Sequence, residues 1–108
     1  MPYLFKERTI RLEKGKQYDY KELKKNLIKS GYSLVNKIDQ SLQFAIRGDI
    51  VDIYTVNFEN PVRIEFFDNE IESIRFFDIS TQKSTKEVEI AEILPGNDVI
   101  FTDEQISK

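Results

Sequence analysis

Two strand-like runs, Val62 to Phe67 and Glu70 to Phe77, are joined by the step Asp68-Asn69. No other feature restricts the fold of this chain so tightly. A two-residue turn between extended runs makes a β-hairpin and sets its register, and register decides which side chains share a face. With that turn, Phe67 faces Glu70, Glu65 faces Glu72 and Arg63 faces Ile74. One face then carries Val62, Ile64, Phe66, Ile71, Ser73, Arg75 and Phe77, mostly apolar and suited to pack on a helix. The other carries Arg63, Glu65, Phe67, Glu70, Glu72, Ile74 and Phe76. Acids dominate its turn end, which marks that end as wet and puts Phe67 at the exposed end of a charged face. An arginine and an aromatic in such a setting are residue types that anchor protein interfaces. The competing reading has Phe67 covered by the loop at 79–87 and Arg63 paired with Glu65 or Glu72.

The rest of the chain supplies a helix and further strands. Asp19 is placed to cap a helix over 20–30, with Glu22 in the capping-box position and Gly31 as its stop. Tyr20, Leu23, Leu27 and Ile28 recur at one-face helical spacing, and Lys21, Lys24, Lys25 and Lys29 fall on or near the solvated side. Thr9 to Leu12 alternates as a short strand and Lys14-Gly15-Lys16 turns. Ser33 to Asp39 reads as a strand. Gln43 to Tyr54 reads as one longer extended run with apolar residues on both parities. That pattern fits burial on both sides or a bulge, and Gly48 is the natural place for the bulge or bend. Residues 79–87 read as a polar loop and Val88 to Leu94 as a last strand.

Composition excludes whole classes of chemistry. The 108 residues suit one domain. Net charge is −3, without the basic balance of a general nucleic-acid binder. The absence of cysteine rules out disulfides, thiol chemistry and cysteine-rich zinc sites; the absence of histidine removes the commonest general base and metal ligand. No nucleotide-binding glycine motif is present. Asp49 with Asp52, and Glu65 with Glu72, read as surface acids and not as catalytic or metal pairs. Arg47-Gly48-Asp49 spells an adhesion tripeptide but lies inside a strand run of a chain without a secretion signal. No apolar run reaches the length of a membrane span, and a cytoplasmic location is the expectation.

The segments FAIRGDIVDIY, PVRIEFFDNEIESIRFFD, STQKS and EILPG together resemble the second structural domain of the bacterial transcription-repair coupling factors (the Mfd family). That domain is similar to the UvrA-binding domain of the excision-repair protein UvrB. GYSLVNKID after a helix fits the family pattern as well. The resemblance covers about residues 9–97, and the ESIRFFD and TQKS segments favour the coupling factors over UvrB. The chain departs from the family at Leu42-Gln43, where a glycine-acid pair is usual, and at Thr55, where a proline is usual.

Pattern and resemblance together imply an α+β domain like UvrB domain 2. Its antiparallel-rich β-sheet carries a long β-hairpin packed against one amphipathic helix. It spans 1–97, with 98–108 as a linker or the start of a following domain. The resemblance implies a non-catalytic module, without cofactor or metal, that contacts UvrA through Arg47, Arg63, Phe67 and Asp68. It implies a parent that is an ATP-dependent DNA translocase, dislodging stalled RNA polymerase and recruiting UvrA for nucleotide excision repair. Another domain of the same parent chain could cover the surface as an autoinhibitory clamp. No direct nucleic-acid or membrane contact is expected. The alternatives are the equivalent domain of UvrB, or a DNA-contacting accessory module.

Overall fold

Gly48 turns the longest apolar run of the chain back on itself. A computed structural model describes residues 9–56 and 58–95. The elements are β1 (Ile10–Glu13), α1 (Tyr20–Lys29), β2 (Ser33–Leu34), β3 (Gln43–Arg47), β4 (Ile50–Tyr54), β5 (Val62–Phe67), β6 (Glu70–Phe77), β7 (Ser84–Val88) and β8 (Ile90–Ile93). Six strands form one sheet in the order β2-β3-β4-β5-β6-β7, and β1 pairs with β8 as a separate ribbon. Every pairing is antiparallel except that of β2 with β3. The result is the α+β, antiparallel-rich architecture expected. The expected 98–108 linker lies outside the described residues.

The expected single run from Gln43 to Tyr54 is instead a hairpin, with Arg47 opposite Ile50 and Gly48-Asp49 as its turn. Gly48 has φ +59, a left-handed backbone that glycine adopts without strain. The two turn residues invert the alternation. Phe44 and Ile46 therefore share a face with Val51 and Ile53, while Ala45 and Arg47 share the other with Ile50, Asp52 and Tyr54. The turn accounts for the change of parity, and the hairpin is also buried on both sides at its middle, with Ala45 and Asp52 covered on the outer face. It contains no bulge. The adhesion-like tripeptide lies at the hairpin end, with Arg47 closing β3 and Gly48-Asp49 making the turn.

A bulge does occur, one hairpin later. Asp68 and Asn69 have φ 50 and 66, the pair of positive values that a type I′ turn requires, and Phe67 faces Glu70 as expected. The register then shifts between Glu65 and Phe66. Glu65 pairs with Ser73, Ile64 with Ile74, and Arg63 with Arg75. Glu72 is the extra residue, so the expected pairs Glu65–Glu72 and Arg63–Ile74 do not form. Beyond the bulge the faces of β6 exchange: Ile74 and Phe76 join the core face with Ile71, while Ser73, Arg75 and Phe77 join Arg63, Glu65 and Phe67.

The core lies between the inner sheet face, α1 and the β1–β8 ribbon. Leu23 and Leu27 of α1, Leu12 and Ile93 of the ribbon, and Phe44, Ile53, Ile64 and Ile74 of the sheet are all fully buried. Asp19 caps α1 by accepting from the Lys21 N–H at 2.9 Å. The helix ends in a Schellman motif. Tyr32 N–H donates to Leu27 at 3.0 Å, Gly31 N–H donates to Ile28 at 3.1 Å, and Gly31 holds φ +96. Tyr20 brings α1 onto the hairpin with its ring 6.3 Å from that of Phe66. Ile28, expected on the buried stripe, is half exposed, and the four helix lysines are solvated.

Two further expectations are corrected. Only Ser33 and Leu34 of the expected 33–39 strand are extended, and they pair in parallel with β3; the rest folds as a loop whose Ile38 covers Ala45 and Phe77 on the outer face. Residues 84–87, read as loop, form with Val88 the edge strand β7 on β6, and the expected last strand 88–94 is divided between β7 and β8. The polar sequence of β7 suits an edge, where no face is deeply buried and charges such as Lys86 and Glu87 discourage pairing with other chains. Leu42, at the family's glycine position, has φ 67, a backbone that a glycine would hold more easily. Thr55, at the family's proline position, is buried and hydrogen-bonds the Tyr32 phenol.

Candidate functional site

The outer sheet face, away from α1, carries Arg47, Arg63 and Phe67, and Asp52 organises the two arginines. Register places Asp52 on β4 directly opposite Arg63 on β5. Arg63 donates to it as a fork, Nε to Oδ1 at 2.8 Å and Nη2 to Oδ2 at 3.1 Å. Arg47, at the end of β3, donates from Nη2 to the same Oδ2 at 3.3 Å. The Asp52 side chain is only 7% exposed, Arg63 is 16% exposed and Arg47 is 59% exposed. One buried carboxylate therefore holds two arginines, one inserted and one free-standing. The hydrogen bonds that Arg63 donates to Asp52 raise its pKa above the ordinary value, against the opposing effect of partial burial.

Arg63 is held on two more sides. Its guanidinium carbon lies 4.3 Å from the centre of the Phe77 ring, a cation–π contact within the favourable range. Its Nη2 also donates to Gln82 Oε1 at 3.1 Å. Gln82 reaches it from a tight loop built on Asp78. The Asp78 carboxylate accepts from the Ser80 N–H at 2.7 Å and the Thr81 N–H at 3.2 Å, and Gln82 itself has φ 63. The loop that could have covered Phe67 covers Arg63 instead. Arg63 pairs with Asp52, not with Glu65 or Glu72; Glu65 accepts from the Ser73 hydroxyl at 2.7 Å and has Arg75 at 3.9 Å. Those pairings also relieve the like-charge opposition of Arg63 and Arg75, which the bulge creates.

Phe67 is 66% exposed at the hairpin tip, and Asp68 beside it is exposed too. It shares the face of Arg63 but stands four residues along the strand, about 13 Å away, with Glu65 between them. The two are thus on one surface and not adjacent. The tip is fixed by the β1–α1 connection. Gly15 N–H donates to Ile71 at 2.8 Å, Ile71 N–H to Lys16 at 2.9 Å, and Tyr18 N–H to Asn69 at 2.7 Å. Gly15 turns there with φ +88. A large apolar side chain on a braced tip loses little further freedom on contact, which favours binding.

Face assignment from the sequence set Arg63 and Phe67 on one face, and the resemblance added Arg47 and Asp68. Arg47, Arg63 and Phe67 stand on the outer face, with Asp68 in the turn beside Phe67. Sequence reasoning missed Asp52, Gln82 and the brace at 15–18. Asp52 had a signal: an acid in the otherwise apolar run Ile50 to Tyr54 needs a partner if buried. Reading Gly48-Asp49 as a turn would have set it beside Arg47. Gln82 and the brace had none, since both depend on long-range loop placement. Among the described residues there is no cluster of three acids, histidines or cysteines able to hold a metal, and no helix long and apolar enough to cross a membrane.

Residues 10–98 match the family model described as the UvrB interaction domain. The chain is similar to the transcription-repair-coupling factor of Staphylococcus haemolyticus (strain JCSC1435), at 38% identity over 95% of this chain and 9% of that protein. It is similar to the factor of the same description from Staphylococcus aureus (strain USA300), at 36% identity over 96% of this chain and 9% of the relative. A third, from Myxococcus xanthus, is 33% identical over 89% of this chain and 8% of the relative. The chain thus spans less than a tenth of the length of these curated relatives.

Proposed function

Because this chain belongs to the UvrB interaction domain family, we propose that its outer sheet face docks UvrA and that Arg47, Arg63, Phe67 and Asp68 make the contact. The family is a non-catalytic interaction module, and this domain is not an enzyme. The observation that carries the reading is Phe67, exposed at 66% on a braced tip of the same face as the two arginines. Aromatic and arginine side chains are the types that dominate binding energy at protein interfaces. Phe67 supplies apolar area for a small pocket on UvrA. Arg47 has donors to spare for a partner carboxylate. Arg63 presents one edge of a guanidinium whose direction is already set, and Asp68 lies beside Phe67 at the tip.

The likeness to coupling factors extends the proposal to the whole protein. There the domain, residues 1–97 with a linker over 98–108, recruits UvrA to stalled RNA polymerase in the cytoplasm for transcription-coupled nucleotide excision repair. The translocase resides in other domains. One of those domains covers the same face in the resting protein and clamps it shut. No nucleic-acid contact by this domain is part of the proposal. A pull-down of UvrA by this chain, with Phe67→Ala as control, tests it. Capture by the parent sequence and loss with the variant support the reading; equal capture by both contradicts it.

A further inference from the structure

Beside Arg47 the outer face opens into a cleft of about 290 Å³, lined by Asn36, Lys37, Ile38, Ala45, Arg47, Asp52 and Gln82. At about 30 Å³ per water it has room for some ten waters, enough for a side chain to enter without the walls moving. Its charge is lopsided. Lys37 and Arg47 stand against Asp52, and the Asp52 carboxylate is already engaged by Arg47 and by Arg63 behind it. Gln82 is also committed, its Oε1 to Arg63 and its Nε2 to the Ile79 carbonyl. Lys37 is exposed, and among the described residues no ion pair involves it. The cleft therefore presents two cations with donors to spare over a neutralised floor, on a chain whose net charge is −3.

We infer that this cleft takes an acidic side chain of the docking partner, its carboxylate held between Lys37 and Arg47. The inference rests on the docking reading above and extends that surface from β3–β6 onto the 35–42 loop. Ile38 and Ala45 give the cleft a small apolar wall. That wall suits the methylenes of a glutamate, and the two cations suit its charge. Asp52 keeps Arg47 at the cleft edge, so the partner acid meets a guanidinium already oriented.

Titration calorimetry of UvrA with this chain and its variants Lys37→Ala, Lys37→Glu and Lys37→Arg reads the site. Lys37 is on the surface, so thermal unfolding stays where it is in all three. Lys37→Ala weakens binding about two- to fivefold, the range of an exposed ion pair. Lys37→Glu sets a like charge against the partner acid and weakens it about tenfold or more, whereas Lys37→Arg stays within about twofold. The salt dependence of binding becomes shallower for Lys37→Ala. If Lys37→Glu binds within about twofold of the parent while Arg47→Ala and Phe67→Ala lose affinity, the cleft is outside the interface and the inference falls alone. If none of these substitutions changes affinity, the docking reading falls and takes the inference with it.

Discussion

Asp52 and Arg63 face each other across β4 and β5 with two hydrogen bonds at 2.8 and 3.1 Å, both side chains largely shielded from water. A pair so placed adds little net stability, because desolvating both charges offsets most of their attraction, but breaking it strands a buried charge. Its value here is geometric, since the same carboxylate also sets Arg47. Asp52→Ala should therefore cost about 3–5 kcal/mol of folding stability.

Asp52→Asn separates positioning from simple charge. It keeps one acceptor for Arg63 and removes a negative charge from a surface that meets an acidic partner. If local charge alone set affinity, the variant would bind UvrA more tightly. Positioning by Asp52 predicts weaker binding, by about 1 kcal/mol or more, because both arginines lose a charge-assisted partner. Calorimetry at two salt concentrations gives the sign.

Arg47→Ala and Arg63→Ala should differ in kind. Arg47 is exposed, so its removal leaves stability within about 0.5 kcal/mol and appears only in binding. Arg63→Ala leaves Asp52 buried with only the exposed Arg47, at 3.3 Å, as its partner and uncovers Phe77. It should lower stability by about 3 kcal/mol as well as affinity. Arg63→Lys should not rescue it, because lysine cannot form the fork or stack flat on Phe77. Paired urea melts and binding titrations measure both effects.

The inner half of the fold was legible from residue pattern alone. The helix cap at Asp19, the stop at Gly31, the Asp68-Asn69 turn and the buried Leu23 and Leu27 follow from local chemistry. The errors share a cause: an inserted residue or turn changes which parity is inside. Gly48-Asp49 inverted one hairpin, which hid that Asp52 is a buried partner and not a surface acid. Glu72 inverted the far half of another, which put Phe77 on the face opposite to the one assigned. Arg63 and Phe67 kept their faces because both lie on the unbulged strand. β7 was illegible because a polar edge strand carries no alternation to read. The brace of 15–18 on the hairpin tip uses backbone groups only, which leave no mark in the side-chain pattern.

Tyr32 gives the domain an alkaline limit. Burial pushes its phenol above the ordinary value, outweighing the hydrogen bonds from Thr55 and the Val56 backbone that lower it. The folded state thus holds the proton to higher pH than the unfolded chain. This contribution is complete below the unfolded value near 10 and is lost as pH rises through the folded value. Urea midpoints for the parent chain should fall more steeply above about pH 10 than those of Tyr32→Phe. That variant is less stable at neutral pH by about 1–3 kcal/mol, having left the Leu94 carbonyl, bonded at 2.7 Å, without its donor.

Phe67→Ala decides whether the exposed tip is a binding anchor. Because the ring is exposed, the variant should unfold within about 0.5 kcal/mol of the parent chain. Calorimetric titration against UvrA should show a loss of about 2 kcal/mol or more, near thirtyfold in Kd. Unchanged affinity in a variant of unchanged stability would contradict the docking role of this face.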